Sequence, residues 1–243
     1  MRSNLTLSAC FLGVFLGAAG CRKSQSEAGT ASTGSSLHLD GATGYMKAPF
    51  AEPDPFTSEA TLSASVYFDE LPSKASRIFS IVGKSGVGRD LDLQAEPDDR
   101  FHFYVGVGAP NVAVSTTKIQ TGVWYHVDAT YRANGSVDIY VDGAPAGSTA
   151  LRVKREPNNG AIVAGANLVF PNRWFRGRID DVALYERALS PGEIAAKSRT
   201  LKGNEPGLVA AYRFEEDTRD LKQKHDGQLV GGAQVGPPGS PVK

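Results

Sequence analysis

From Glu59 to Val141 the chain repeatedly alternates apolar with polar residues, and this period of two limits its possible folds more than any feature of its composition. Leu62, Ala64, Val66 and Phe68 share one parity, as do Phe101, Phe103, Val105 and Val107, and as do Val137, Ile139 and Val141. Successive side chains of a strand point to opposite faces, so each run reads as a strand with one face buried. Asn134-Gly135 follows such a run and suits a type I′ turn, whose two central residues both need positive φ, and Asp142-Gly143 suits the next reversal. Short strands punctuated this regularly predict a sandwich or jelly roll. One helix signal interrupts them: Ser190 can cap the free amides, Pro191 fits the first helical position, and Glu193 stands where a capping box places it.

The N-terminus has a different character. Met1-Arg2-Ser3-Asn4 is followed by a mostly apolar run from Leu5 to Ala19, shorter than the roughly 20 residues a permanent membrane helix needs. Residues 1–20 therefore read as a secretory signal peptide. Leu16-Gly17-Ala18-Ala19-Gly20-Cys21 resembles the lipobox of bacterial lipoproteins, with Ala18 where Leu is usual, which implies lipidation of Cys21. The only other cysteine, Cys10, leaves with the signal peptide, and acylation would block a thiol otherwise open to oxidation. Cys21 and the Ser, Gly and Thr-rich stretch to Ser35 form a flexible tether, residues 21–35, too polar to bury a core. Arg22 is not the Asp that retains lipoproteins at the inner membrane, so the resemblance implies the outer membrane if the host has two. Residues 36–243 remain for a single domain without a disulfide.

Acidic and basic residues balance at 26 each, which offers no field to select nucleic acid. The partners expected are a glycan or a cell-surface protein, with the lipid membrane held through acylated Cys21.

Four motifs then carry a resemblance. Ser36-Leu37-His38-Leu39-Asp40-Gly41 with Gly44-Tyr45-Met46 looks like the opening strand of laminin G-like domains. Gly122-Val123-Trp124-Tyr125-His126-Val127 with Val137-Asp138-Ile139-Tyr140-Val141-Asp142-Gly143 is similar to their central hairpin. Phe175-Arg176-Gly177-Arg178-Ile179-Asp180-Asp181-Val182-Ala183-Leu184-Tyr185 with Ala188-Leu189-Ser190 resembles their closing strand. Gly207 to Glu215 looks like a strand that often precedes such a domain and here follows it. The resemblance implies an all-β, concanavalin A-like jelly-roll sandwich of two antiparallel sheets with one short helix near Ser190. It also implies a repertoire of lectins, adhesion modules and some glycoside hydrolases, from which fold alone cannot choose.

A hydrolase of the related laminarinase type would carry Glu-x-Asp-x-x-Glu on one strand, holding its two carboxylates about 5 Å apart. The nearest string, Glu215-Glu216-Asp217-Thr218-Arg219-Asp220, reads as a solvated loop. His38, His102 and His126 fall in predicted strands and His225 in a polar loop, without zinc spacing. Gly83 to Gly88 reads as a hairpin turn. No catalytic residue is assigned, and hydrolysis ranks last among the functions considered.

Two sites remain as expectations. Asp180 shares parity with Val182 and Leu184, so a regular strand would bury its carboxylate. Its partner would be a calcium ion, with the Asp40-Gly41 turn supplying further oxygens, or Arg178 or Arg176, unless a β-bulge turns it outward. Sugar binding needs aromatic faces beside hydrogen-bonding groups. Trp174 and Asn172 supply both on one loop, and Tyr104, His102 and Tyr140 lie opposite in parity to core residues, whereas Trp124 is expected in the core. The function expected is a tethered, non-catalytic carbohydrate-binding module. The alternative is an adhesion protein that binds another protein.

Overall fold

A computed structural model describes residues 34–86, 91–106, 112–133, 135–151, 155–196 and 200–240. The signal segment, Cys21, Val107 and Asn134 lie outside the described residues.

Fifteen strands and two short helices occur among them. In chain order they begin β1 (Ser36–Asp40), β2 (Tyr45–Ala48), β3 (Glu59–Phe68), α1 (Pro72–Ala75), β4 (Phe79–Lys84), β5 (Leu91–Glu96), β6 (Arg100–Val105) and β7 (Val112–Lys118). There follow β8 (Trp124–Arg132), β9 (Ser136–Val141), β10 (Ala144–Ala150), β11 (Ile162–Ala164) and β12 (Arg176–Tyr185). The chain closes with α2 (Pro191–Ala196), β13 (Leu208–Tyr212), β14 (Gln228–Val230) and β15 (Gln234–Gly236).

Sheet A runs β10-β9-β8-β3-β12-β1-β15, with β13 paired to the far end of β12, and sheet B runs β14-β2-β11-β4-β5-β6-β7. Neighbours pair antiparallel throughout, as expected of a jelly-roll sandwich. The C-terminal strand β13 therefore extends sheet A, while β14 and β15 close one edge of each sheet.

The alternating residues meet between the sheets. Leu62, Ala64, Val66, Phe68, Phe101, Phe103, Val137 and Ile139 are fully buried, and Phe175 joins them with its ring 5.0 Å from Phe68 and 5.9 Å from Phe79. Close approach of backbones sets some positions: a Cβ on Gly177, at φ 141°, would stand 2.0 Å from the Tyr67 carbonyl across the β12–β3 pair. Asp142 and Gly143 both take positive φ in the β9–β10 turn, the reversal their sequence predicts. The Ser190 amide donates to Glu193 Oε2 at 2.8 Å and the Glu193 amide to Ser190 Oγ at 3.2 Å, the reciprocal cap expected of α2.

Several expectations are corrected. The helix α1, started by Pro72 and stopped by Ser76 at φ 53°, is a second helix beside the one expected. The central strands β3 and β8 are buried on both faces, because α2 and the chain from Leu201 to Leu221 pack over Tyr140, Ala183 and Tyr185 on the outside of sheet A. Gly83 and Lys84 belong to β4 rather than to a turn. Lys84 is fully buried, with Nζ donating to Asn158 and Gly160 and lying 4.5 Å from the centre of the Phe50 ring. Burial pushes its ammonium down to about 8, against the pull of the Asp54 carboxylate. Asp54 itself is bound by Arg155 at 2.7 Å, both side chains being essentially inaccessible.

Candidate functional site

The outer face of sheet B carries the densest polar network in which the expected sugar-binding residues take part. Leu91, Leu93 and Ala95 of β5 point into the core, which turns Asp92, Gln94 and Glu96 outward. On β6, likewise, Phe101 and Phe103 are core and His102 and Tyr104 face out, opposite Gln94 and Asp92 in register. Buried polar groups need partners, and these have them. Ser80 Oγ donates to Asp92 Oδ1 at 2.7 Å, and Gln94 Nε2 to Asp92 Oδ2 at 2.9 Å. Tyr104 donates its hydroxyl to Glu96 Oε1 at 2.8 Å, and burial together with that bond pushes the phenol up.

The loop between β11 and β12 closes over this network. Asn167 Nδ2 donates to Asp92 Oδ2 at 2.6 Å, while Asn167 Oδ1 accepts the amides of Val169 and Phe170 at 2.8 and 3.0 Å. The Leu168 amide donates to Ser85 Oγ at 3.3 Å, and the Arg173 carbonyl accepts the Ser80 amide at 3.1 Å. Arg173 Nη1 reaches Gln94 Oε1 at 3.2 Å, its guanidinium 4.4 Å from the centre of the Phe170 ring. Trp174 packs on Tyr45 of β2, ring centres 5.7 Å apart and planes tilted by 36°. The loop is thus pinned at its start, middle and end. It presents Leu168 and Phe170, 41% and 43% exposed, beside half-buried Arg173 and Trp174.

Of the expected sugar-binding residues, Trp174, Asn172, Tyr104 and His102 therefore fall on sheet B and its covering loop. Asn172 is exposed, in the left-handed conformation at φ 65° that turns the loop. His102 is only 8% exposed, its Nε2 3.0 Å from Asp98 and its ring stacked on Tyr104. Tyr140 is a correction: it is 6% exposed and packs under α2 with Tyr185, Leu189 and Ile194. Trp124 is a correction in the other direction, half-buried on the outside of sheet A against Tyr67 instead of in the core. Sequence reasoning missed Asp92, Gln94, Asn167 and Tyr45. The outward parity of Asp92 and Gln94 beside that of Tyr104 was the available signal.

The two candidate calcium ligands do not come together. Asp40 pairs in register with Arg176, four residues along β12 from Asp180, a strand length of about 13 Å. Asp40 Oδ1 accepts the amides of Ala42, Thr43 and Gly44, and Oδ2 the Thr43 hydroxyl. Burial would raise this carboxyl, but those four donors outweigh it and hold it well below the usual carboxylate range. A calcium ion needs converging oxygens, and here hydrogens converge on one carboxylate, so the residues do not fit it. Asp180 sits before a bulge in the β12–β3 pairing, with Asp181 at φ 47°, and its oxygens accept the amides of Asp181 and Ser240 at 2.9 and 2.7 Å. No group of three His, Cys, Asp or Glu side chains suited to a metal occurs among the described residues.

A cavity of about 530 Å³ beside β13 is lined by Arg213, Glu215, Glu216, Asp217, Arg219 and Asp226, among others. Several of its acids serve the local fold. Asp220, expected in a solvated loop, is buried and accepts the amides of Ala211, Lys222, Lys224 and His225, and Asp217 is paired with Arg219.

The profile of the concanavalin A-like lectin/glucanases superfamily matches residues 40–195. No curated protein matches the chain. Among solved structures, a candidate carbohydrate-binding protein from Bacteroides ovatus superposes with a TM-score of 0.68 at 18% identity, over 86% of this chain and 61% of the other. A heptameric SAP-like pentraxin from Limulus polyphemus superposes at 0.60 with 13% identity, over 84% and 94%. The binding domain of Paraclostridial Mosquitocidal Protein 1 does so at 0.53 with 14% identity, over 69% and 46%. At these identities the likeness is one of fold.

Proposed function

The chain belongs to the concanavalin A-like lectin/glucanases superfamily, and from that premise we propose that it is a non-catalytic carbohydrate-binding module, tethered to the cell envelope through lipidated Cys21. The observation that carries the reading is the rim around Trp174. An indole and a phenol lie side by side, Arg173 stands next to them, and the loop that bears them is clamped to the sheet through Asn167 and Asp92. Pyranose rings offer apolar faces and hydroxyl edges, so an aromatic surface flanked by fixed polar groups suits them. A clamped loop also loses little entropy on binding. The carboxylates of this face are engaged by protein donors, Asp92 by three and Glu96 by Tyr104, which favours binding over acid–base chemistry.

Binding of another protein is the second reading, favoured by the neighbouring exposed side chains of Leu168 and Phe170. A glycan array probed with the full chain, with calcium and with a chelator, separates the two. Saturable binding to a defined sugar, reduced at least tenfold in Trp174→Ala, supports the module. A folded protein that binds no sugar overturns it in favour of a protein partner.

A further inference from the structure

A second row of side chains crosses the opposite sheet. Register places Trp124 of β8 beside Tyr67 of β3, Tyr67 beside Arg178 of β12, Arg178 beside His38 of β1, and His38 beside Gln234 of β15. Their strand neighbours Tyr125, Phe68, Ile179 and Leu37 are buried in the core, so all five point to the outside of sheet A. The first four are half-buried and Gln234 is exposed, where the cover formed by α2 and the C-terminal chain leaves the face open. Five strands spaced by about 4.8 Å make the row about 19 Å long, enough for several sugar rings in line.

The chemistry along the row is ordered. Trp124 and Tyr67 form an aromatic patch with ring centres 5.5 Å apart, and the Arg178 guanidinium lies 4.4 Å from the centre of the Tyr67 ring. The Arg178 Nε is buried without a hydrogen-bond partner among the described residues, and its Nη2 stands 4.0 Å from the Asp69 carboxylate. An arginine laid on an aromatic face, its Nη2 at 4.0 Å from the Asp69 carboxylate, is poised for a ligand carboxylate, whose two oxygens match its paired Nη groups. Arg176, exposed on the same side of β12, adds a second guanidinium whose own partner Glu70 is 3.9 Å away. His38 Nε2 is held by the Gly236 carbonyl at 2.9 Å, which leaves Nδ1 to accept a hydroxyl.

We infer that the Trp124–Tyr67–Arg178–His38 row is a second carbohydrate platform, built for a chain of uronic acid sugars whose rings stack on Trp124 and Tyr67 and whose carboxylate pairs with Arg178. It lies on the other sheet from the Trp174 loop and does not depend on that site.

The chain holds two tryptophans, Trp124 and Trp174, so each site can be read separately. In the full chain carrying Trp174→Phe, Trp124 is the remaining tryptophan, and its selectively excited emission is followed on titration with oligogalacturonate and with a neutral cello-oligosaccharide of equal length. The expected result is a saturable change in Trp124 emission with the acidic oligomer alone, weakened at least about tenfold by Arg178→Gln and less by Arg178→Lys, which keeps the charge without the fork. Circular dichroism establishes that each variant is folded, and Arg178→Lys carries the test if Arg178→Gln is not. No saturable change, an equal response to the neutral oligomer, or binding indifferent to both Arg178 variants overturns the inference. Trp124→Phe, read through Trp174, reports the loop site, so failure of one platform is distinguishable from failure of the other.

Discussion

Asp180 is 4% exposed, next to Asp181, with two backbone amides on its oxygens. Burial, and then the neighbouring Asp181 charge, push its carboxyl up to about 8. The unfolded chain releases this proton near pH 4. Between those values the folded state binds more protons than the unfolded one, so this group makes stability fall as pH rises from about 4 to about 8. Asp180→Asn removes that slope: thermal melts of the variant change less over this range than those of the parent, and an unchanged slope contradicts the assignment. The same residue shows where parity fails. Counting from Val182 and Leu184 puts Asp180 in the core, but the bulge at Asp181 resets the count and leaves it in step with Arg178. Nothing in the residue types of the Asp180-Asp181 pair separates a regular strand from a bulged one. Trp124 differs from its expected place for another reason: the resemblance to the family's hairpin implies core, whereas its own parity, opposite to buried Tyr125 and Val127, points outward.

At the scale of elements, the strands with clean alternation and the Asp142-Gly143 turn were legible because one face of each is packed and the turn needs positive φ. The capping box of α2 was legible because its partners are three residues apart. The loop from Asn167 to Trp174 was legible only in composition, since its contacts reach to Ser80, Asp92 and Gln94, far away in the chain. Asn167 is the link that sequence could not supply, and it gives a prediction. Asn167→Ala removes a donor from buried Asp92 and two acceptor bonds that shape the loop, at a cost of about 1–3 kcal/mol in stability. Sugar affinity falls with it while the sheets persist, which calorimetric titration alongside thermal melting checks. Full affinity in a folded Asn167→Ala protein argues against a preorganised loop.

For the whole molecule, the described chain leaves its first and last residues side by side: the Gly239 amide donates to the Gly34 carbonyl at 2.7 Å, and Ser36 Oγ to the Pro238 carbonyl at 2.7 Å. The proposed tether thus enters beside the C-terminal segment, at the start of β1. No helix among the described residues is long and apolar enough to cross a membrane. Lipid on Cys21 would supply the attachment, and two or more acyl chains hold where one, at about 0.8 kcal/mol per buried methylene, binds only marginally. Cys21→Ser is expected to abolish palmitate labelling and move the protein from the membrane fraction to the soluble fraction. Unchanged fractionation contradicts the anchor. A sugar site on sheet B is tested by amide chemical-shift mapping of the isotope-labelled full chain with the best sugar from the array. The expected shifts are concentrated at Asn167 to Trp174, Tyr45 and Tyr104. Shifts confined to the cavity beside β13, or spread over α2, would contradict it.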